Sequence, residues 1–148
     1  MSSELEQLYQ EVILDHSRRP HGRGLEGGTP ALSHQINPTC GDEITLELHR
    51  DSATGALVSA RWEGHGCAIS QASASLFSDV VPGLTVTELG ERIEGFRTAM
   101  RSRGTIEPDD ELVGDASALA GVSRYPARVK CAMLAWVAAE DALTHFAA

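Results

Sequence analysis

Apolar side chains recur at helical spacing near the start of the chain, at Leu5, Leu8, Tyr9, Val12 and Ile13, and the pattern stops at Pro20 and Gly22. Ser3, followed by Glu6, fits a capping box, so an amphipathic first helix is predicted. RGLEGGTP reads as loop, and ALSHQIN as a short edge strand that Pro38 ends. The period then changes to two. EITLELHR puts Ile44, Leu46 and Leu48 on one face and Thr45, Glu47 and His49 on the other, and LVSARWEG alternates again after the turn residues DSATG. A hairpin with one wet face is expected.

Helical character returns in HGCAISQASASLFSDVV, with Ile69, Ala72, Leu76 and Val80 on one side and serines over much of the rest, until Pro82 and Gly83. Cys67 falls at or just before that helix start. Thr85 and Glu88 form a second capping box ahead of Leu89, Ile93, Phe96 and Met100. RSRGTIEPDDE has charge without periodicity, and LVGDASALAGVS is at best a short helix between glycines. Pro126 opens the last helix, whose apolar side carries Val129, Met133, Trp136, Val137 and Leu143. Strands without interleaved helices, followed only by helices, favour an α+β fold with an antiparallel sheet of about three strands and about five helices.

Composition narrows the partners. The chain has 148 residues, the size of one domain, with no second composition regime, no repeat and no low-complexity segment. Its 21 acidic against 12 basic side chains give a formal charge of -9, a field that repels nucleic acid and anionic membranes. MSSELEQLYQEVILDH holds four acidic residues and no apolar run, which is neither a secretory nor a transit signal, so a cytosolic location is expected. An odd count of three cysteines in that compartment argues against a disulfide framework.

The cysteines therefore divide among core, ligand and nucleophile. Cys131, on a helix rich in alanine, suits the core. Cys40 in TCGD and Cys67 in HGCAI stand beside glycine at element boundaries, where thiols ligate or react. The three are 27 and then 64 positions apart, so only the fold can bring them together. If it does, three thiolates and the Asp42 carboxylate make a tetrahedral donor set for zinc, or a mostly cysteinyl rim for an iron–sulfur cluster. With zinc the group carries a formal charge near -2, and Arg128 and Lys130 beside Cys131 are offsets for it, unless they simply form a solvated helix face. His65, two before Cys67, is a reserve ligand. His16, His21, His34, His49 and His145 form no metal spacing, GRGLEGG lacks the context of a phosphate loop, and no serine triad is arguable.

Taken in order, NPTCGDEITLELH, GHGCAISQASAS and RVKCAMLAW resemble, over nearly the whole chain, the three cysteine motifs of the IscU-like family of iron–sulfur assembly proteins. The resemblance implies a single IscU-like domain over residues 1–148, with a three-stranded antiparallel sheet, packed helices, and a site at one end built from the cysteines and the aspartate. Lys130 stands where the scaffold branch typically has histidine, and the stretch from Pro82 to Ser123 looks longer than in that branch. Both features are similar to the SufU branch, whose members resemble zinc-binding sulfur acceptors. By that likeness Cys40, Asp42, Cys67 and Cys131 are zinc ligands, Cys40 is also the sulfur acceptor, and Arg128 is functionally important. The implied partners are a pyridoxal-phosphate cysteine desulfurase of SufS type, which the chain serves in sulfurtransferase fashion and not as a stand-alone enzyme, and a downstream iron–sulfur scaffold. The implied mechanism holds Cys40 ionised but muted on zinc until the desulfurase offers a replacement ligand. The alternative is a scaffold on which iron or an iron–sulfur cluster is held and handed on.

Overall fold

Alternation along the strands builds the sheet and aims its inner face. The computed structural model describes residues 3–28, 30–39 and 41–146, with Ser3 and Glu4 described by backbone alone, so Cys40 and the side chain of the Ser3 cap lie outside the described residues. Three strands, β1 (Ala31–Asn37), β2 (Asp42–Arg50) and β3 (Leu57–His65), form an antiparallel sheet in the order β1-β2-β3. The register pairs Ser33 with Leu46 and Leu46 with Trp62, so Asp42, Ile44, Leu46 and Leu48 share one face with Asn37, Ser33, Ala60 and Trp62. That face is buried.

Among the described residues five α-helices accompany the sheet: α1 (Ser3–Arg18), α2 (Ala68–Val80), α3 (Val86–Arg101), the short α4 (Asp110–Val113) and α5 (Pro126–Leu143). The expected α+β architecture is therefore present. The Thr85–Glu88 capping box forms as the sequence predicts, and Pro126 opens α5. The glycine-bounded segment is more than a short helix: after α4 a 3₁₀ helix runs over Gly114–Arg124 and buries Ala116, Leu119 and Val122.

Helix α2 lies between α1 and α5, and α5 packs on β1 and β2. Two expectations change here. The serines of α2 are not a polar face; Ser70, Ser73, Ser75 and Ser78 are all buried. With neighbours on both sides the middle of the helix, from Ala72 to Ser78, has no wet side, and a small hydroxyl admits close approach while bonding across it. Ser73 donates to the Ala132 carbonyl of α5 at 2.5 Å and accepts from the Trp136 indole at 3.0 Å. Trp136 in turn stacks on Phe96, with centroids 4.0 Å apart, and meets Phe77 edge-on.

The second change concerns the wet face of the hairpin. Glu47 is only 3% exposed because the loop before β1 crosses over it, and its carboxylate accepts from the backbone N–H groups of Glu26 (2.9 Å) and Gly27 (3.1 Å). The cover is local to Glu47: along the same face Glu63 and His65 stay exposed, so the rest of the hairpin keeps its wet side.

Helix α1 is bound less tightly than its pattern implies. Leu8 is 53% exposed, and Tyr9, Val12 and Ile13 are only half-buried. Tyr9 and Ile13 line a cleft of about 550 Å³ between α1 and the 3₁₀ helix that reaches Cys67.

Candidate metal centre

Asp42 reaches the site because it continues the inward set Ile44, Leu46 and Leu48 by one more alternation, at the end where the sheet meets the helices. Its carboxylate is fully buried. Cys67 occupies the N-cap position of α2 with extended backbone, and its side chain makes no cap bond. The orphan N–H of Cys67 is taken by Asp42 Oδ1 at 3.0 Å, a charge-assisted bond that ties β2 to α2. The Ser70 hydroxyl, one turn on, lies 3.2 Å from the same oxygen and 3.0 Å from the Cys67 carbonyl, so its one hydrogen serves two acceptors. Among the described residues, Asp42 Oδ2 has only a long contact to the Asn37 amide, 3.4 Å. Gly66 makes the approach possible: a Cβ there would collide with Asp42 Oδ1 and with Ser70 Oγ.

Cys131, fully buried in the second turn of α5, comes from a third element. A carboxylate oxygen of Asp42 and the sulfurs of Cys67 and Cys131 all lie within 4.8 Å of one another. Bonds of about 2.3 Å at a tetrahedral angle place donors roughly 3.8 Å apart, so a small contraction would seat a cation. Two soft thiols and one hard carboxylate, with Asp42 and Cys131 buried and Cys67 half-buried, suit zinc or iron and not magnesium or calcium. Cys40, two residues before Asp42 in the chain, lies outside the described residues.

The two basic candidates separate. Arg128 lines the cleft that Cys67 opens into, together with Arg124 and the 63% exposed Tyr125. Lys130 lines a different groove, with Arg97 and Glu140. Two residues on a helix differ by about 200° in direction, which is the reason they part. The reserve ligand His65 is engaged elsewhere. Its Nε2 is 3.1 Å from Glu43, whose other oxygen meets His34 at 2.6 Å. The hydrogen bond from His34 is the first cause holding the Glu43 carboxyl below its ordinary range.

Several site residues were not singled out from sequence. Ser70 and Asn37 orient Asp42; the signals were a hydroxyl three residues beyond a helix start, and the register partner of the aspartate. Arg124, whose stem passes over Gly104, carried no signal of its own. His16 and His21, which form no metal spacing along the sequence, converge in space with Asp79, with one ligand atom from each within 4.8 Å of the others.

Sheet, helices and donor cluster together define a small α+β protein with a buried sulfur-and-carboxylate centre where a strand meets two helices. Residues 8–132 match the family described as the NifU-like N terminal domain, and the chain belongs to that family. It is 38% identical over 141 residues to the zinc-dependent sulfurtransferase SufU of Bacillus subtilis, covering 94% of this chain and 91% of that one. It is likewise 38% identical over 141 residues to the iron–sulfur cluster assembly scaffold protein IscU of Streptococcus pyogenes, covering 95% and 86%. Among solved structures, a candidate SUF-system scaffold from Fervidobacterium islandicum superposes with a TM-score of 0.76 at 34% identity, over 93% of this chain and 97% of that one. The resemblance read from the three cysteine motifs is borne out.

Proposed function

We propose that residues 1–148 act as one cytoplasmic domain in iron–sulfur cluster assembly, as a sulfur acceptor whose resting site, Cys40, Asp42, Cys67 and Cys131, holds zinc. The observation that carries this reading is the convergence of Asp42, Cys67 and Cys131 on one point, in a chain this similar to a relative named as a zinc-dependent sulfurtransferase. Zinc bound there would hold the thiols ionised and tie β2, α2 and α5 together.

The chain's own residues then have distinct tasks. Cys40 is the acceptor. Its thiolate attacks the terminal sulfur of a cysteine persulfide on a pyridoxal-phosphate desulfurase of SufS type. One S–S bond forms as the other breaks, the electron pair leaves on the desulfurase cysteine, and Cys40 carries away the persulfide without net oxidation or reduction. Asp42, fixed by Cys67, Ser70 and Asn37, keeps the ligand geometry. Arg128 stands in the cleft beside Cys67 and places positive charge where an anionic persulfide approaches, in a chain of net charge -9. The sulfur then passes to a downstream iron–sulfur scaffold. Among the described residues no helix is long and apolar enough to cross a membrane.

A second reading is favoured by the relative named as a scaffold, which is equally similar. In it the same donors bind cluster iron, and a cluster is built and handed on. Persulfide labelling separates the two. Mixed with a cysteine desulfurase and cysteine, the chain should gain one sulfur atom on Cys40 and Cys40→Ala none. Uptake persisting in Cys40→Ala sinks the acceptor reading, and efficient cluster delivery without prior uptake favours the scaffold.

A further inference from the structure

Away from the cysteines, the fold brings His16 and His21, five residues apart, to Asp79, 58 residues beyond His21. A ring nitrogen of each histidine and a carboxylate oxygen of Asp79 lie within 4.8 Å of one another. We infer that these three side chains form a second metal site, for a borderline d-block dication such as zinc, cobalt or nickel.

The geometry is supported from behind. His16, in the last turn of α1, is 6% exposed, and its Nδ1 lies 2.6 Å from Ser75 Oγ. The same hydroxyl accepts the backbone N–H of His21 at 2.7 Å. The carbonyl of His21 is held in turn by the Trp62 indole at 2.9 Å. Ser75 and Asp79 are one turn apart on α2, so the residue that orients both histidines stands beside the third ligand. His21 Nδ1 already lies 2.7 Å from Asp79 Oδ2, and the two imidazole centroids are 4.6 Å apart.

Gly22 fixes the loop that carries His21. It has φ +74, and a Cβ there would come within 2.6 Å of Ser78 Cβ and 3.0 Å of the Ala60 carbonyl. The loop backbone is pinned further where Trp62 N–H donates to the Gly22 carbonyl at 2.9 Å. The His16 Nδ1 contact to Ser75 is of the kind that orients a ligating imidazole through its other ring nitrogen.

The electrostatics favour a cation. Burial and then the neighbouring His21 lower the pKa of His16, whereas Asp79, Asp15 and Asp115 act on it in the opposite sense and contribute negative charge near the point. Two imidazoles with one carboxylate select zinc, cobalt or nickel over calcium and magnesium. Three protein ligands, two of them half-exposed, leave coordination positions to water, so this ion exchanges more readily than one held by buried thiolates. Asp79 is 12 residues beyond Cys67 along α2, about 18 Å of helix, so the two sites are separate. An ion there would brace α1, one wall of the cleft beside Cys67.

The test is a cobalt titration of the full chain whose cysteine site has first been filled with zinc. A further equivalent should bind with weak visible d–d bands and without sulfur-to-cobalt charge transfer. His21→Gln and Asp79→Asn, both at exposed positions, should each lose it, whereas His145→Gln, outside both sites, should keep it. In the unsubstituted protein the same cobalt should broaden the ring-proton NMR signals of His16 and His21 and leave His145 sharp. Absence of a further equivalent, unchanged uptake in both variants, or broadening confined to other histidines overturns the assignment.

Discussion

Asp42, the first residue of β2, accepts the backbone N–H of Cys67, at the foot of α2, with 3.0 Å between Oδ1 and N. One hydrogen bond thus joins a ligand from the sheet to a ligand from a helix, and it places an anion at a helix N-terminus, where backbone donors are unpaired. The carboxylate that reads in the sequence as a fourth donor is also the part that holds another donor in place.

Removing that carboxylate should cost stability even without metal. Asp42→Ala leaves the Cys67 N–H and the Ser70 hydroxyl without their buried acceptor, which should lower the unfolding free energy by about 1–3 kcal/mol in urea titrations of chelator-treated protein. Asp42→Asn retains an acceptor oxygen and should lose less. Equal stability of the alanine variant and the parent would show that the bond is not needed.

Gly66→Ala should strike the site harder than the fold. The added methyl meets Asp42 and Ser70, so Cys67 must shift. Zinc content after purification should fall while far-UV circular dichroism stays near that of the parent. Gly90→Ala in α3 is the contrast: a Cβ there meets nothing, and relief of glycine's helix penalty should raise stability by about 0.5–1 kcal/mol.

Ser73→Ala tests the serine seam between α2 and α5. It deprives the Trp136 indole of its acceptor and the Ala132 carbonyl of a donor in a fully buried setting. A loss of about 1–3 kcal/mol is expected, with a shift in Trp136 fluorescence. Replacement by an apolar side chain with no loss would mean that small size, and not the hydroxyl, is what the position requires.

Glu47 gives a pH dependence of definite sign. Burial pushes its carboxyl pKa up, but hydrogen bonds from His49 and from the backbone of Glu26 and Gly27 outweigh it, and the net direction is downward. A depressed folded pKa means that the contribution to stability is present above the ordinary value of 4.5 and is lost as pH falls through the lowered one. Glu47→Gln should therefore flatten the acid limb of the stability curve below pH 4.5. An unchanged limb would place the acid sensitivity elsewhere.

Periodicity carried most of the fold. The alternation of Ile44, Leu46 and Leu48, the Thr85–Glu88 box and Pro126 are local signals with local causes, and each predicts its element. Local rules could not reveal layers that cover polar residues. Glu47 and the α2 serines read as solvated because periodicity shows which side chains share a face, not what lies over it. The site divides similarly. Asp42 and the two described cysteines were legible as chemistry and as motifs, whereas Ser70, Asn37 and Arg124 act through register and helix packing. The joining of His16 and His21 with Asp79 depends on a loop pinned at Gly22, which no spacing rule contains.

The measurement that tests the central claim most directly is the turnover of a pyridoxal-phosphate cysteine desulfurase, followed as alanine release. It is compared without this protein, with its zinc-loaded form, and with its chelator-stripped form. The zinc-loaded form should raise turnover by accepting the persulfide, and the stripped form and the zinc-loaded Cys40→Ala variant should not. Equal turnover in all four mixtures would contradict a role as sulfur acceptor.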